Sequence, residues 1–342
     1  MANKITMKTL TRQTSKRNKQ MRTLTPFVSL LTGELEVSGR HGTARAYRSS
    51  LNRLLEFTGN RQLTFSDLTP GLLKRYEQTL LVQGCKRNTV SLYMRMLRSV
   101  CNQAVSRGIT RIPAGLFDEV FTGTDSSEKR AVNPAVIRRL RELELASSPV
   151  LETARDLFLL SFYLRGIPFV DLIRLRKSDL SRGMLRYRRS KTGRLLTVAV
   201  EPCAQEILRK YAVKNGVYLL PVLTKEGKGG YRQYQNALRR YNLHLHRLSA
   251  LLGLKTHLTS YVARHSWATA AYRQGVPVAV ISESLGHSSE KVTYTYLASF
   301  DNRTLSRANR KIIDLVLPGS NPQSQANKFK KSACNFQKSG YD

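Results

Sequence analysis

Fifty-seven lysines and arginines stand against 23 aspartates and glutamates, so the chain carries a formal charge of +34 over 342 residues. Charge of one sign at that density repels itself, and a compact fold needs either a polyanion to relieve it or a core able to resist it. A hydrophobic fraction of 41% supplies the core and excludes a wholly disordered chain, and the length suits about two domains. Nucleic acid is the leading partner that the charge implies, with an anionic membrane surface second. No apolar stretch is long enough to span a bilayer, and the opening MANKITMKTLTRQTSKRNKQ lacks the apolar core of a signal peptide. A cytosolic or nuclear location, cytoplasmic in the simplest reading, is expected. Cys85, Cys101, Cys203 and Cys334 are scattered, with no C-x-x-C pair and no zinc-finger spacing, so reduced thiols and no metal are expected.

Pattern divides the chain. Residues 1–23 form a basic flexible arm, suited to phosphate contact or to solubility alone. From 24 to 120 the period is helical: Tyr47, Leu51, Leu54 and Leu55, then Leu72, Leu73, Tyr76 and Leu80, then Tyr93, Leu97, Val100, Cys101 and Ala104 each share a face. Three or four helices are predicted there, punctuated by Thr69-Pro70, Gly84 and Gly108. Lys86, Arg87, Arg95 and Arg98 fall outside the apolar stripe and read as a solvated basic face or as DNA contacts. Residues 121–131 lack periodicity and suggest a linker. A second domain over 132–318 opens with a helix at Asn133-Pro134 and continues with one near 150–164. Leu185 and Tyr187 then alternate with Arg186 and Arg188, Ser190 to Gly193 make a turn, and Leu196, Val198 and Val200 follow, which predicts a β-hairpin. Helical patterns resume at 203–213 and 231–252. Residues 319–342 form a polar tail. The fold class expected is mainly α with a small antiparallel β-sheet.

Between 256 and 300 three short elements follow one another. Tyr261 to Arg273 reads as a helix ending at Gly275, Pro277 opens a second that closes at Gly286, and Ser288 or Ser289 can cap a third. The strings ARHSWAT and LGHSS, with Tyr296 nine residues after His287, resemble the tyrosine recombinases, the phage integrase family of site-specific DNA recombinases. The resemblance covers roughly residues 24–317. It implies an N-terminal helical core-binding domain of SAM-like type and a mixed α/β catalytic domain.

The resemblance also implies a chemistry. A tyrosine attacks a DNA phosphodiester, forms a 3′-phosphotyrosine link and releases a 5′-hydroxyl, with no metal and no cofactor. By motif position Tyr296 is the nucleophile and Arg264 a phosphate-binding arginine. Arg165, in YLRGIPFVDLIRL, takes the place of the other arginine, although Pro168 occupies the slot three residues before Asp171 where the family commonly has arginine; Arg174 and Arg176 are the substitutes. A three-residue offset returns a side chain to nearly the same face only if the backbone is helical. Lys191 in the hairpin turn matches the lysine that protonates the leaving 5′-oxygen, and His287 the histidine that binds the scissile phosphate. Tyr261 replaces the usual histidine three residues before Arg264, and His257 reads either as a compensating group or as a surface histidine. Asp171 is the acid expected to hold the active-site arginines. Such a set makes chemical sense, because a phenol of pKa about 10 needs cations to become a nucleophile, and guanidinium forks stabilise phosphoryl charge.

Tyr294, two residues from Tyr296, points about 200° away on a helix and is expected to pack. The partners implied are double-stranded recombination sites, with a monomer in the free form, a homotetramer in the synaptic complex and a C-terminal helix near 305–317 docking on a neighbour. Integration or excision of a mobile element, or DNA inversion, is the biological event favoured. The competing reading is a sequence-specific DNA-binding protein that keeps the fold without strand cleavage. A two-metal nuclease is disfavoured because Glu283 and Glu290 are the sole acids between 251 and 300.

Overall fold

The computed structural model describes residues 21–125, 130–212, 216–225, 227–295, 297, 306 and 309–314. Two compact units emerge, Met1–Glu128 with Tyr211–Tyr241, and Lys129–Lys210 with Asn242–Asp342. The basic arm, apart from its last residues, and the polar tail lie outside the described residues, as do Cys334 and Tyr296. Cys85, Cys101 and Cys203 are free thiols.

The first unit is built on α1 (Leu24–Val37), α2 (His41–Thr58), α3 (Pro70–Val82) and α4 (Arg87–Ser106). Spacings of three and four bury Ala44, Tyr47, Leu51 and Leu54 on α2, and Val90, Met94, Leu97, Cys101 and Ala104 on α4. They close on Phe27, Phe65 and Tyr76, with Phe27 meeting Phe65 edge-on at 5.4 Å. The Thr69-Pro70 signal works as expected. Pro70 opens α3, and the Thr69 hydroxyl accepts the Leu72 N–H at 3.1 Å, satisfying one of the donors a helix start leaves bare.

Residues 121–125, read from sequence as part of a linker, are tied down. The buried carboxylate of Glu77 accepts the Phe121 N–H at 2.7 Å and the Lys74 ammonium at 2.8 Å. Asn88 exchanges two hydrogen bonds with the backbone of Asp125, at 2.9 and 3.0 Å. Side-chain chemistry on α3 and α4 thus supplies the order that the segment's own composition lacks.

The second unit runs α5 (Pro134–Arg141), α6 (Pro149–Tyr163), the single turn α7 (Phe169–Leu172), strands β1 (Leu180–Ser181), β2 (Met184–Arg188) and β3 (Leu195–Ala199), then α8 (Pro202–Lys210). The long α9 (Gly227–Leu251) begins among residues of the first unit and ends in the second. It is followed by α10 (Val262–Arg273), α11 (Val278–Leu285) and α12 (Glu290–Tyr294), and residues 309–314 are helical. The sheet is antiparallel in the order β1-β2-β3, with Tyr187 opposite Leu196 and Leu185 opposite Val198. The two-residue β1 is too short to show in a period-two pattern. Among the described residues no helix is long and apolar enough to cross a membrane.

The helix cores and caps should differ in worth. Leu54, fully buried, should cost about 2–5 kcal/mol when cut to alanine, and Thr69→Ala about 1 kcal/mol. Urea unfolding of each variant measures both; equal losses would contradict the core assignment.

Candidate active site

The site begins where α6 stops. After the cap residue Leu164 the chain turns through two left-handed residues, Arg165 at φ 58° and Gly166 at φ 69°. Arginine rarely adopts such a backbone, whereas glycine does so freely. Gly166 also sits where a side chain cannot, because a Cβ there would lie 2.8 Å from the Arg264 Cα. That approach lets the Gly166 carbonyl accept a hydrogen bond from Arg264 Nη1 at 2.8 Å. The backbone at 165–168 is therefore not helical, and the one-turn equivalence between Arg165 and position 168 does not hold. Pro168 instead caps α7 in extended geometry. Arg165 is half-buried and makes no hydrogen bond or ion pair among the described residues.

Arg264 lies on the first turn of α10 and is only 1% exposed. Its Nη2 donates to the Leu285 carbonyl at 2.6 Å and to His287 Nε2 at 2.9 Å. A guanidinium has donors only, so Nε2 must be the acceptor. The His287 ring is then neutral with its proton on Nδ1, which donates to the Thr293 hydroxyl of α12 at 2.8 Å. Burial, reinforced by the charges of Arg264, Arg189 and Lys191, pulls the His287 pKa down to about 3. Gly286, left-handed at φ 66°, ends α11 and aims His287 inward.

The β2–β3 turn is fastened to the same place. Thr192 Oγ1 donates to the Gly286 carbonyl at 3.2 Å and Arg194 Nη1 to the His287 carbonyl at 3.1 Å. Lys191, at the tip, is exposed. Tyr261 precedes α10 directly, one turn before Arg264, and is 42% exposed. The loop leading to it is held from α9, where Asn242 Oδ1 accepts the Ser260 N–H at 2.9 Å.

Several expectations need correcting. Asp171 holds neither Arg165 nor Arg264; its carboxylate pairs with Arg189 at 2.5 Å and accepts the Ser190 N–H at 2.9 Å. Tyr294 is not a core residue, being 54% exposed. His257 lies outside the Arg264 cluster, its ring 3.9 Å from that of His246. Among the basic residues of α4, Arg98 is engaged internally. It donates to the Phe117 carbonyl at 3.0 Å and lies over the Phe117 ring. Arg87 covers Phe121 at 4.2 Å, while Lys86 and Arg95 are exposed.

Sequence reasoning missed Arg189. The signal was present, since the alternation that buries Leu185 and Tyr187 continues to 189 and carries a charged side chain inward. Tyr187 is buried in the same neighbourhood. Burial and Asp171 push its phenol up, and Arg189, Arg264 and Arg165 oppose the rise, so charge from all three arginines reaches one point. Leu297, next to Tyr296 in sequence, is buried with Ala268, Ile281 and Leu285 against the inner faces of α10 and α11. Among the described residues no group of three or more His, Cys, Asp or Glu side chains could hold a metal ion.

A neutral imidazole is thus held between a buried guanidinium and a threonine, with a lysine-tipped hairpin beside it. The Phage integrase SAM-like domain profile matches residues 23–114, and that of the Phage integrase family matches residues 143–303. Tyrosine recombinase XerC of Roseiflexus castenholzii is 27% identical over 283 residues, covering 79% of this chain and 86% of the relative. XerC of Thermodesulfovibrio yellowstonii is 24% identical over 266 residues, covering 74% and 84%. A lambda integrase tetramer solved on a Holliday junction superposes with a TM-score of 0.59 at 16% identity, covering 85% of this chain and 83% of that one. The chain belongs to the phage integrase family of tyrosine recombinases, enzymes that break and rejoin DNA strands at specific sites.

The depressed His287 pKa has a measurable sign. An unfolded histidine takes up a proton near pH 6.5, the folded one only near 3, so its contribution to stability is complete above 6.5 and is lost as pH falls toward 3. Urea unfolding between pH 7 and pH 4 should show a steeper loss for the wild type than for His287→Gln. Equal slopes would mean that the folded protein protonates His287 readily.

Proposed function

We propose that this recombinase cleaves duplex DNA through Tyr296, with Arg165 and Arg264 on the nonbridging oxygens of the scissile phosphate, Lys191 at the leaving oxygen and His287 and Tyr261 beside the phosphate. The observation that carries the reading is the anchoring of Arg264. Carbonyls from the 165–166 turn and from α11 fix its guanidinium before DNA arrives, so little reorganisation is left for the transition state.

In the cleavage step the Tyr296 oxygen forms a bond to phosphorus as the bond from phosphorus to the 5′-oxygen breaks. The phenolic proton passes to water or a neighbouring base, and Lys191 gives a proton to the departing 5′-oxygen. One phosphodiester is exchanged for another, so the 5′-hydroxyl of a partner strand reverses the step without an external energy source. His287, neutral before binding, sits among cations that disfavour its protonation. A phosphate anion opposes that effect, so DNA itself raises the basicity of the ring.

Lys86, which caps the start of α4, and Arg87 and Arg95 on it are the residues proposed to meet the DNA backbone. A homotetramer on two sites is the assembly proposed, supported by the lambda integrase tetramer on its junction. Integration or excision of a mobile element, or inversion of a segment, is the event proposed.

The test selects a binding site from randomised duplexes, nicks it near the cleavage position so that a short fragment diffuses away, and looks for a covalent adduct under denaturing conditions. Wild type and Tyr294→Phe should form it, and Tyr296→Phe should not. An adduct that survives Tyr296→Phe and vanishes with Tyr294→Phe would move the nucleophile; binding without any adduct would make the chain a DNA-binding protein alone. Because many phosphates are neutralised, affinity should fall by about 10³-fold or more between 50 and 200 mM salt.

A further inference from the structure

Lys191 poses a problem of placement. A general acid must reach within hydrogen-bond distance of the atom it protonates, yet this one sits on a long flexible side chain at an exposed turn. The turn around it is unusually constrained. Arg189 and Arg194 close it through the Arg189 N–H, which donates to the Arg194 carbonyl at 2.9 Å, and the Gly193 N–H donates to the Arg189 carbonyl at 2.8 Å. Beyond Lys191, Thr192 and Arg194 bond the backbone at 286 and 287. Before it, both oxygens of Asp171 are committed, one to the Ser190 N–H and the other to Arg189. From 189 to 194, Lys191 is the one polar side chain without a hydrogen bond among the described residues.

Asp171 and Arg189 are 3% and 5% exposed. Burying two charges is a poor route to stability, since desolvation offsets much of their attraction and an apolar pair of like volume often does as well. Arg189 Nε even lacks a partner among the described residues. The gain must lie elsewhere, and the residues that the pair fixes are the two immediately before Lys191.

We propose that the Asp171–Arg189 ion pair is the positioning device for Lys191: it sets the backbone of the β2–β3 turn so that the lysine ammonium meets the leaving 5′-oxygen. Neither partner touches the phosphate. This rests on Lys191 being the general acid, and the experiment separates the two claims. In the ordinary substrate the bond from phosphorus to the 5′-oxygen breaks and the oxygen needs a proton. Replacing that bridging oxygen with sulfur lets a thiolate depart without one, so a defect in proton delivery disappears while a defect in phosphate binding or folding does not.

The selected duplex, nicked and carrying either oxygen or sulfur at the bridging 5′ position, is given to wild type, Lys191→Ala and Asp171→Asn. Thermal unfolding and duplex binding are recorded for each. Where Asp171→Asn leaves Arg189 unpaired and the protein unfolds, the double variant Asp171→Asn with Arg189→Gln, which removes both charges, takes its place. On the oxygen substrate both Lys191→Ala and the Asp171 variant should cleave about 10- to 100-fold more slowly, and on the sulfur substrate both should return to within about threefold of wild type. Rescue of Lys191→Ala without rescue of the Asp171 variant overturns the proposal alone, as does full activity of the Asp171 variant on oxygen. Failure to rescue Lys191→Ala removes the lysine as the acid, and the role of the pair with it.

Discussion

The guanidinium of Arg264 cannot be where it is without help. A buried cation is costly unless its donors find acceptors, and here two backbone carbonyls and one imidazole nitrogen take N–H groups of Nη1 and Nη2. Each acceptor comes from a different element, so satisfying one side chain brings together the end of α6, the end of α11 and the loop that carries His287. Gly166 and Gly286 follow from this requirement. Both are left-handed, and at both a Cβ would press on a neighbour, Arg264 at the first and Arg189 with Leu196 at the second. The glycines are the places where the chain comes close enough to reach the arginine and the hairpin.

The charges acting on Tyr187 and His287 are mostly of one sign. Arg165, Arg264 and Arg189 all act on the Tyr187 phenol, and Arg264, Arg189 and Lys191 all act on His287. Asp171 is the acid among them, and it is spent on Arg189. A cluster so unbalanced is incomplete by itself, and a phosphodiester in the proposed position supplies the missing negative charge. The same argument at larger scale applies to the chain's +34. The cost of holding cations apart from water and near one another is borne by the fold and offset when DNA binds.

Much of this was legible in the sequence where a local rule governs. Thr69-Pro70 and Asn133-Pro134 start helices because a side-chain oxygen and a missing N–H suit that position, whatever lies around them. The hairpin was legible from alternation. Legibility failed where a side chain's partner lies far along the chain. Asp171 could be read as a partner for arginines but not for Arg189, 18 residues on, until the hairpin folds back. Arg98 looked like a free cation because nothing local says that the 113–118 turn will cover it. Arg165 was read from sequence as lying near a helix end, but its left-handed backbone accompanies the approach of Gly166 to α10, and periodicity carries no information about that.

The account stands on Arg264 donating to a neutral His287. Nitrogen-15 NMR of histidine-labelled, DNA-free protein reads this directly, with His287→Gln identifying the signal among six histidines. From pH 7 to pH 5 the ring should stay neutral, with its proton on Nδ1 and a bare Nε2 facing the guanidinium. A ring that carries its proton on Nε2, or that becomes an imidazolium near pH 6, would show that Arg264 is not held as described.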